Sequence, residues 1–240
     1  HVPNIAVIFD AARKNFRNEI YAEYKANRSE TPPELIPQFS IIREAVEAFN
    51  IPAIEMEGFE ADDLIATYAR LAIEKGQHVT IVSSDKDLMQ LVRDGVRMFD
   101  PMKYKYMGAD EVMEKFGVTS DKVVDVQALA GDSTDNVPGV PGIGYKTAAQ
   151  LITEYGDLET LLARAGEIKQ QKRRESLIEH AELARISKKL VQLDAHVNVT
   201  LGVSDLKIAK PDTAKLYSFL QVQGFKSTLA RMEKQFGLEN

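Results

Sequence analysis

The sequence predicts an α/β core, parallel strands covered by helices, followed by a mostly helical half. Three observations predict it. Short apolar runs, β-branched in part, recur through the first half, and a helical apolar pattern separates two of them. After residue 107 strand signals almost vanish, and apolar residues fall at spacings of three and four.

Residues 5–9, Ile-Ala-Val-Ile-Phe, form a continuous apolar run of the kind found in buried parallel strands. Residues 51–56 read as a second, weaker strand and residues 79–82 as a third. Between these two, Leu64, Ile65, Tyr68, Leu71 and Ala72 mark a helix that ends at Gly76. Strand, helix and strand in this order make a βαβ unit and hence a parallel sheet. Residues 97–107 read as a hairpin with Asp100-Pro101 at its turn. Beyond it helices are predicted over 145–155, 157–165, 172–192, 211–221 and 226–236, with a strand signal only near residue 203.

With 240 residues, 44% hydrophobic and 28% charged, the chain can bury a sizeable core, which excludes collagen-like and disordered classes. It has no cysteine, so disulfides, thiolate zinc sites and cysteine nucleophiles are excluded. No apolar run is long enough to span a membrane and no signal-peptide pattern opens the chain, so no membrane partner and a cytoplasmic location are expected. The net charge of −6 would argue against a polyanionic partner if it were evenly spread. It is not: acidic residues cluster in four places and basic ones gather elsewhere.

Asp10 follows the first strand. Glu60, Asp62 and Asp63 stand between the second strand and the body of its helix, and Asp85 and Asp87 follow the third strand. The βαβ connection is expected to bring these three groups to one rim of the sheet, where α/β sites form. Asp132 and Asp135 make a fourth group whose place the pattern does not fix. Singly, each group has an ordinary explanation: a helix dipole for residues 60–63, capping for 85–87, a surface loop for 132–136. Crowded together, the carboxylates repel and call for cations. Oxygen donors suit Mg²⁺ or Mn²⁺, and two such ions ~3.5–4 Å apart can clamp a phosphoryl displacement.

Two further segments suit a phosphate-bearing polymer. Gly139, Gly142 and Gly144 precede a helix that opens at Lys146, so backbone N–H groups, helix dipole and ammonium can face a phosphate. The pattern resembles a helix–hairpin–helix loop; the other reading is a Gly/Pro connector between packed helices. Residues 16–28 interleave Phe16, Tyr21 and Tyr24 with Arg17, Lys25 and Arg28, which fits base stacking and phosphate binding or, equally, a solvated amphipathic helix. Lys169, Lys172, Arg173 and Arg174 form a basic run of the kind that usually marks a solvated face.

Seven motifs in order then resemble a known family: Val-Ile-Phe-Asp-Ala, Phe-Arg, Tyr-Lys-Ala-Asn-Arg, Gly-Phe-Glu-Ala-Asp-Asp, Ser-Asp-Lys-Asp-Leu, Gly-Asp-Ser-Thr-Asp-Asn-Val-Pro-Gly and Gly-Ile-Gly-Tyr-Lys-Thr-Ala. Together they are similar to the 5′–3′ exonuclease domain of bacterial DNA polymerase I, in the flap-endonuclease-like superfamily. The resemblance covers essentially the whole chain. It implies a PIN-like α/β core over residues 1–116 and a helical part with a helix-three-turn-helix motif over 117–240, together one domain. It also implies divalent-metal hydrolysis of nicked, 5′-flap or branched duplex DNA in replication and repair.

By motif, Asp10, Glu60, Asp62 and Asp63 are expected to serve one metal ion, and Asp85, Asp87, Asp132 and Asp135 the other. Tyr24, Lys25 and Arg28 match the family's helical-arch residues that engage the 5′ end and the scissile phosphate, which implies a catalytic role for them. Gly142, Gly144 and Lys146 match the duplex-binding loop, where K⁺ is also expected. The implied setting is a monomer in the bacterial cytoplasm, at the nucleoid, joined to the polymerase region of a longer chain. The family's domain opens with an earlier strand ending in another metal-binding Asp, so impaired cleavage is expected of this chain. A freestanding 5′–3′ exonuclease, a non-cleaving branched-DNA-binding module and a PIN-domain ribonuclease are the alternatives; the loop at residues 139–146 argues against the last.

Overall fold

The structure, a computed structural model, describes residues 2–236; His1 and residues 237–240 of the expected domain lie outside the described residues. In the first half the elements are β1 (Val7–Ile8), α1 (Phe16–Ile20), α2 (Ile36–Ala48), β2 (Ala53–Ile54), α3 (Ala61–Glu74), β3 (Val79–Val82), β4 (Val96–Asp100) and β5 (Lys105–Met107). There follow α4 (Ala109–Phe116), α5 (Val123–Ala130), α6 (Tyr145–Tyr155), α7 (Leu158–Ala163), α8 (Gln171–Glu179), α9 (Ala181–Val191), α10 (Thr213–Val222) and α11 (Lys226–Phe236). They divide into two units that do not follow chain order.

The first unit comprises residues 2–10, 29–56 and 198–236. In it β1 and β2 pair in parallel, Val7 opposite Ala53 and Ile8 opposite Ile54. Both strands are shorter than predicted. Pro52 has no N–H to donate and charged Glu55 follows Ile54, which confines the ladder to two residues. Ala48 at the end of α2 packs with Leu216 and Leu220 of α10 and Met232 of α11. Asp212 caps α10 by accepting from the N–H groups of Ala214 and Lys215. The strand signal near residue 203 resolves into a 3₁₀ turn at Val203–Asp205.

The second unit comprises residues 11–28 and 57–197. β3 pairs in parallel with β4, and β4 pairs antiparallel with β5, Asp100 opposite Lys105, which forms the predicted hairpin. The strands are parallel where expected, but β2 and β3 belong to different sheets, so the βαβ unit read across α3 is not one hydrogen-bonded sheet. The partner of β3 is β4, reached through a 3₁₀ turn at Lys86–Leu91. A continuous core joins Leu88, Met98, Val112, Leu129, Ile152 and Leu177, tying the sheet to α4, α5, α6 and α8. The long helix read over 172–192 breaks at His180 into α8 and α9.

Candidate active site

Three acidic segments of the second unit line one pocket. Glu60 and Asp62 come from the start of α3, Asp85 and Asp87 from the turn after β3, and Asp132 and Asp135 from the loop after α5. Each is held by local chemistry. Glu60 stands at the N-cap of α3, its N–H donating to Asp63 Oδ2 at 3.1 Å. Asp85 caps the 3₁₀ turn, Oδ1 accepting the N–H of Asp87 at 2.9 Å. Asp132 exchanges two backbone bonds with Val137, and its Oδ1 accepts the N–H of Thr134 at 2.7 Å.

Arg17 of α1 runs beneath the acids and is fully buried. Its guanidinium forms a fork with Asp63, both bonds at 2.8 Å, and Nη1 lies 3.2 Å from Glu60 Oε2. Nε donates to the carbonyl of Leu190 at 2.7 Å and Nη2 to that of Gln192 at 3.0 Å. One side chain thus ties α1 to the start of α3 and to the end of α9.

Other cations meet the remaining acids. Lys25 pairs with Glu60 and lies 3.6 Å from Asp135, Arg28 is 2.5 Å from Asp135, and Lys86 is 2.5 Å from Asp132. The Tyr24 hydroxyl donates to Glu60 Oε2 at 3.1 Å, and burial with the nearby Glu60 charge pushes its own pKa up. Burial, reinforced by the charge of Asp85, pushes Asp87 up to about 6. At Asp132 burial works in the same sense, but the Lys86 ammonium and backbone N–H groups outweigh it and hold the carboxyl below its usual range.

Six carboxylates on one wall are an all-oxygen donor set, which fits a hard divalent cation. The fit is one of chemistry rather than of a ready cage. Among the described residues no three acidic or histidine side chains converge on one point, because Lys25, Arg28 and Lys86 hold the oxygens as internal counterions.

The pocket gathers Glu60, Asp62, Asp85, Asp87, Asp132 and Asp135 with Tyr24 and Lys25, all singled out from the sequence. Three expectations are corrected. Asp63 does not line the pocket; it is fully buried and both of its oxygens accept from Arg17, with Oδ1 also accepting the N–H of Asp194 at 2.8 Å. Tyr24 is 5% exposed, packed with Val137 and Leu190, and has no free face for stacking on a base. Gly139 faces inward: a Cβ there would sit 2.5 Å from the Gly131 nitrogen, so this glycine serves close backbone packing.

Asp10 is exposed just beyond β1, in the first unit. Gly142, at φ +80°, and Gly144 are exposed before α6, with Lys146 exposed in its first turn. Residues 16–28 form only the short helix α1 and then a run of turns. Lys25 adopts a left-handed backbone at φ +56°, its N–H bonded to the carbonyl of Asp135 at 2.9 Å.

The sequence reading missed the anchoring role of Arg17, the pairing of Lys86 with Asp132, and Gln127. Gln127 is a fully buried residue of α5 whose Nε2 donates to Asp87 Oδ1 at 2.6 Å. Its one available signal was a lone amide among Val123, Val126, Ala128 and Leu129.

Residues 1–117 match the family described as 5′–3′ exonuclease, N-terminal resolvase-like domain, and residues 118–214 the 5′–3′ exonuclease C-terminal SAM fold. DNA polymerase I of Rhizobium leguminosarum is 57% identical over 95% of this chain, which spans 22% of that relative's length. A 5′–3′ exonuclease of Aquifex aeolicus is 39% identical over 97% of this chain and 79% of its own. A T5 5′-exonuclease structure with divalent zinc ions bound is 28% identical, with a TM-score of 0.70 over 79% of this chain and 74% of that one. A bacteriophage T5 flap endonuclease in a pseudo-enzyme–product complex with DNA and metal ions is 25% identical, with a TM-score of 0.69 over 96% of this chain and 81% of that one.

Proposed function

The chain belongs to the 5′–3′ exonuclease family, and from that premise we propose that it hydrolyses DNA phosphodiester bonds at 5′ ends, nicks and flaps. The observation that carries this reading is the pocket itself: six carboxylates from three separate segments, with Lys25 among them and Arg17 buried beneath. Those carboxylates would hold Mg²⁺ or Mn²⁺, which when bound supply Lewis-acid stabilisation of phosphate charge. Lys25 and Arg28, whose present partners are the pocket's own acids, would turn to a substrate phosphate. The Tyr24 hydroxyl fixes the orientation of Glu60. The exposed Gly142, Gly144 and Lys146 would take a duplex phosphate at the start of α6, with K⁺ at the same loop. The similarity to DNA polymerase I supports the further proposal that this segment works as the 5′-nuclease part of such a polymerase.

The test is single-turnover cleavage of a 5′-labelled flap with Mg²⁺ or Mn²⁺, against EDTA. Loss of a supporting partner of a metal ligand typically costs ~10–100-fold, so Asp85→Ala should cost at least about 100-fold. EDTA should stop cleavage altogether. Cleavage in EDTA, or a wild-type rate for Asp85→Ala, would contradict the reading.

A further inference from the structure

Gln127 is fully buried on α5, where Val123, Val126, Ala128 and Leu129 are each buried to the last percent and the other buried polar residue, Asp125, pairs with Lys188 at 2.7 Å. The Asp87 carboxylate can only accept, so the amide must present its nitrogen to it, and Nε2 donates at 2.6 Å. The carbonyl oxygen Oε1 is thereby turned away and is buried with no hydrogen-bond partner among the described residues. A buried, unpaired acceptor weakens the folded state, and an apolar side chain of the same length would avoid that cost. The amide is therefore a poor choice for the core and a good one for Asp87. The main chain of Asp87 is fixed independently: its N–H donates to Asp85 Oδ1 and its carbonyl accepts from Gln90 Nε2 at 3.1 Å. Gln127 supplies the contact that fixes the carboxylate end of the same residue.

We propose that Gln127 is a positioning residue of the acidic pocket, holding Asp87 in the orientation in which it meets a divalent cation. The inference rests on the proposed reading of the pocket as a metal site. It assigns to α5 a role beyond packing, since the helix then reaches the site through one side chain.

The test is Mn²⁺ binding to the purified chain, read by electron paramagnetic resonance, together with thermal unfolding in EDTA. Wild type, Gln127→Met, Asp87→Ala and the double variant are compared. Gln127→Met should weaken Mn²⁺ binding about 10-fold, as loss of a ligand's supporting partner does. Its thermal midpoint should stay close to that of wild type, because removal of the unpaired carbonyl offsets the lost bond to Asp87. In the Asp87→Ala background the same substitution should cost no further affinity. Unchanged Mn²⁺ affinity in Gln127→Met, a lowered midpoint or failure to fold, or an equal loss in the Asp87→Ala background would each overturn the proposal. If wild type binds no Mn²⁺, or Asp87→Ala binds it as well as wild type, the reading of the pocket itself falls, and Gln127 with it.

Discussion

Asp87 carries the sharpest conflict of charge in the pocket. It is half-buried, it faces Asp85, and its pKa rises to about 6. An unfolded aspartate titrates near ~3.9, so between about pH 4 and 6 the metal-free folded chain holds a proton that the unfolded chain has released. The unfolded state then binds fewer protons, and this group makes stability fall as pH rises through that window. Asp87→Asn removes the conflict. In EDTA its stability relative to wild type should grow by about 1–3 kcal/mol between pH 4 and 7, measured by urea unfolding. A difference that stays flat with pH would contradict the assignment. The same scale shows what a sequence reveals of a site and what it withholds. Glu60, Asp62, Asp85 and Asp87 were legible because they stand where strands end and helices begin. Asp62 and Asp63 could not be told apart. Neighbours on a helix face different directions, and the guanidinium that claims Asp63 lies 46 positions away in sequence.

At the level of elements, α1 is too short to persist by its own hydrogen bonds, and its place depends on what it grips. Asn15 caps it, and Arg17 anchors it to α3 and to the chain leaving α9. The turns that follow are held to the acidic loop: Asn27 Nδ2 donates to the carbonyl of Ser133 at 2.7 Å, and Asn136 Nδ2 to that of Glu23 at 2.6 Å. Removing Asp63 would leave a buried guanidinium without its carboxylate. Asp63→Ala should therefore lose about 3–5 kcal/mol in urea unfolding, whereas Asp85→Ala, an exposed acid that gives up only its cap bond to Asp87, should lose no more than about 1 kcal/mol. Equal stabilities for the two variants would contradict the structural role given to Asp63. The elements themselves were unevenly legible. β3 and α6 fall where β-branched residues and a Gly/Pro break announce them. The partner of β3 was not legible, because hydrogen-bond pairing is settled by long-range packing that no local pattern records.

For the whole molecule, a net charge of −6 coexists with a proposed polyanionic substrate because placement outweighs the sum. The acids turn into a pocket where Lys25, Arg28 and Lys86 already pair with them as counterions, while Gly142, Gly144 and Lys146 present an exposed helix start elsewhere on the second unit. Those cations are expected to be exchangeable: divalent ions should take over the carboxylates and free the lysines. The most direct test is anomalous diffraction from crystals of the chain soaked in millimolar Mn²⁺. Mn²⁺ peaks should appear bounded by Asp85, Asp87, Asp132 and Asp135, with Lys86 withdrawn from Asp132. A pocket with no Mn²⁺ peak and the Lys86–Asp132 pair intact would contradict that exchange.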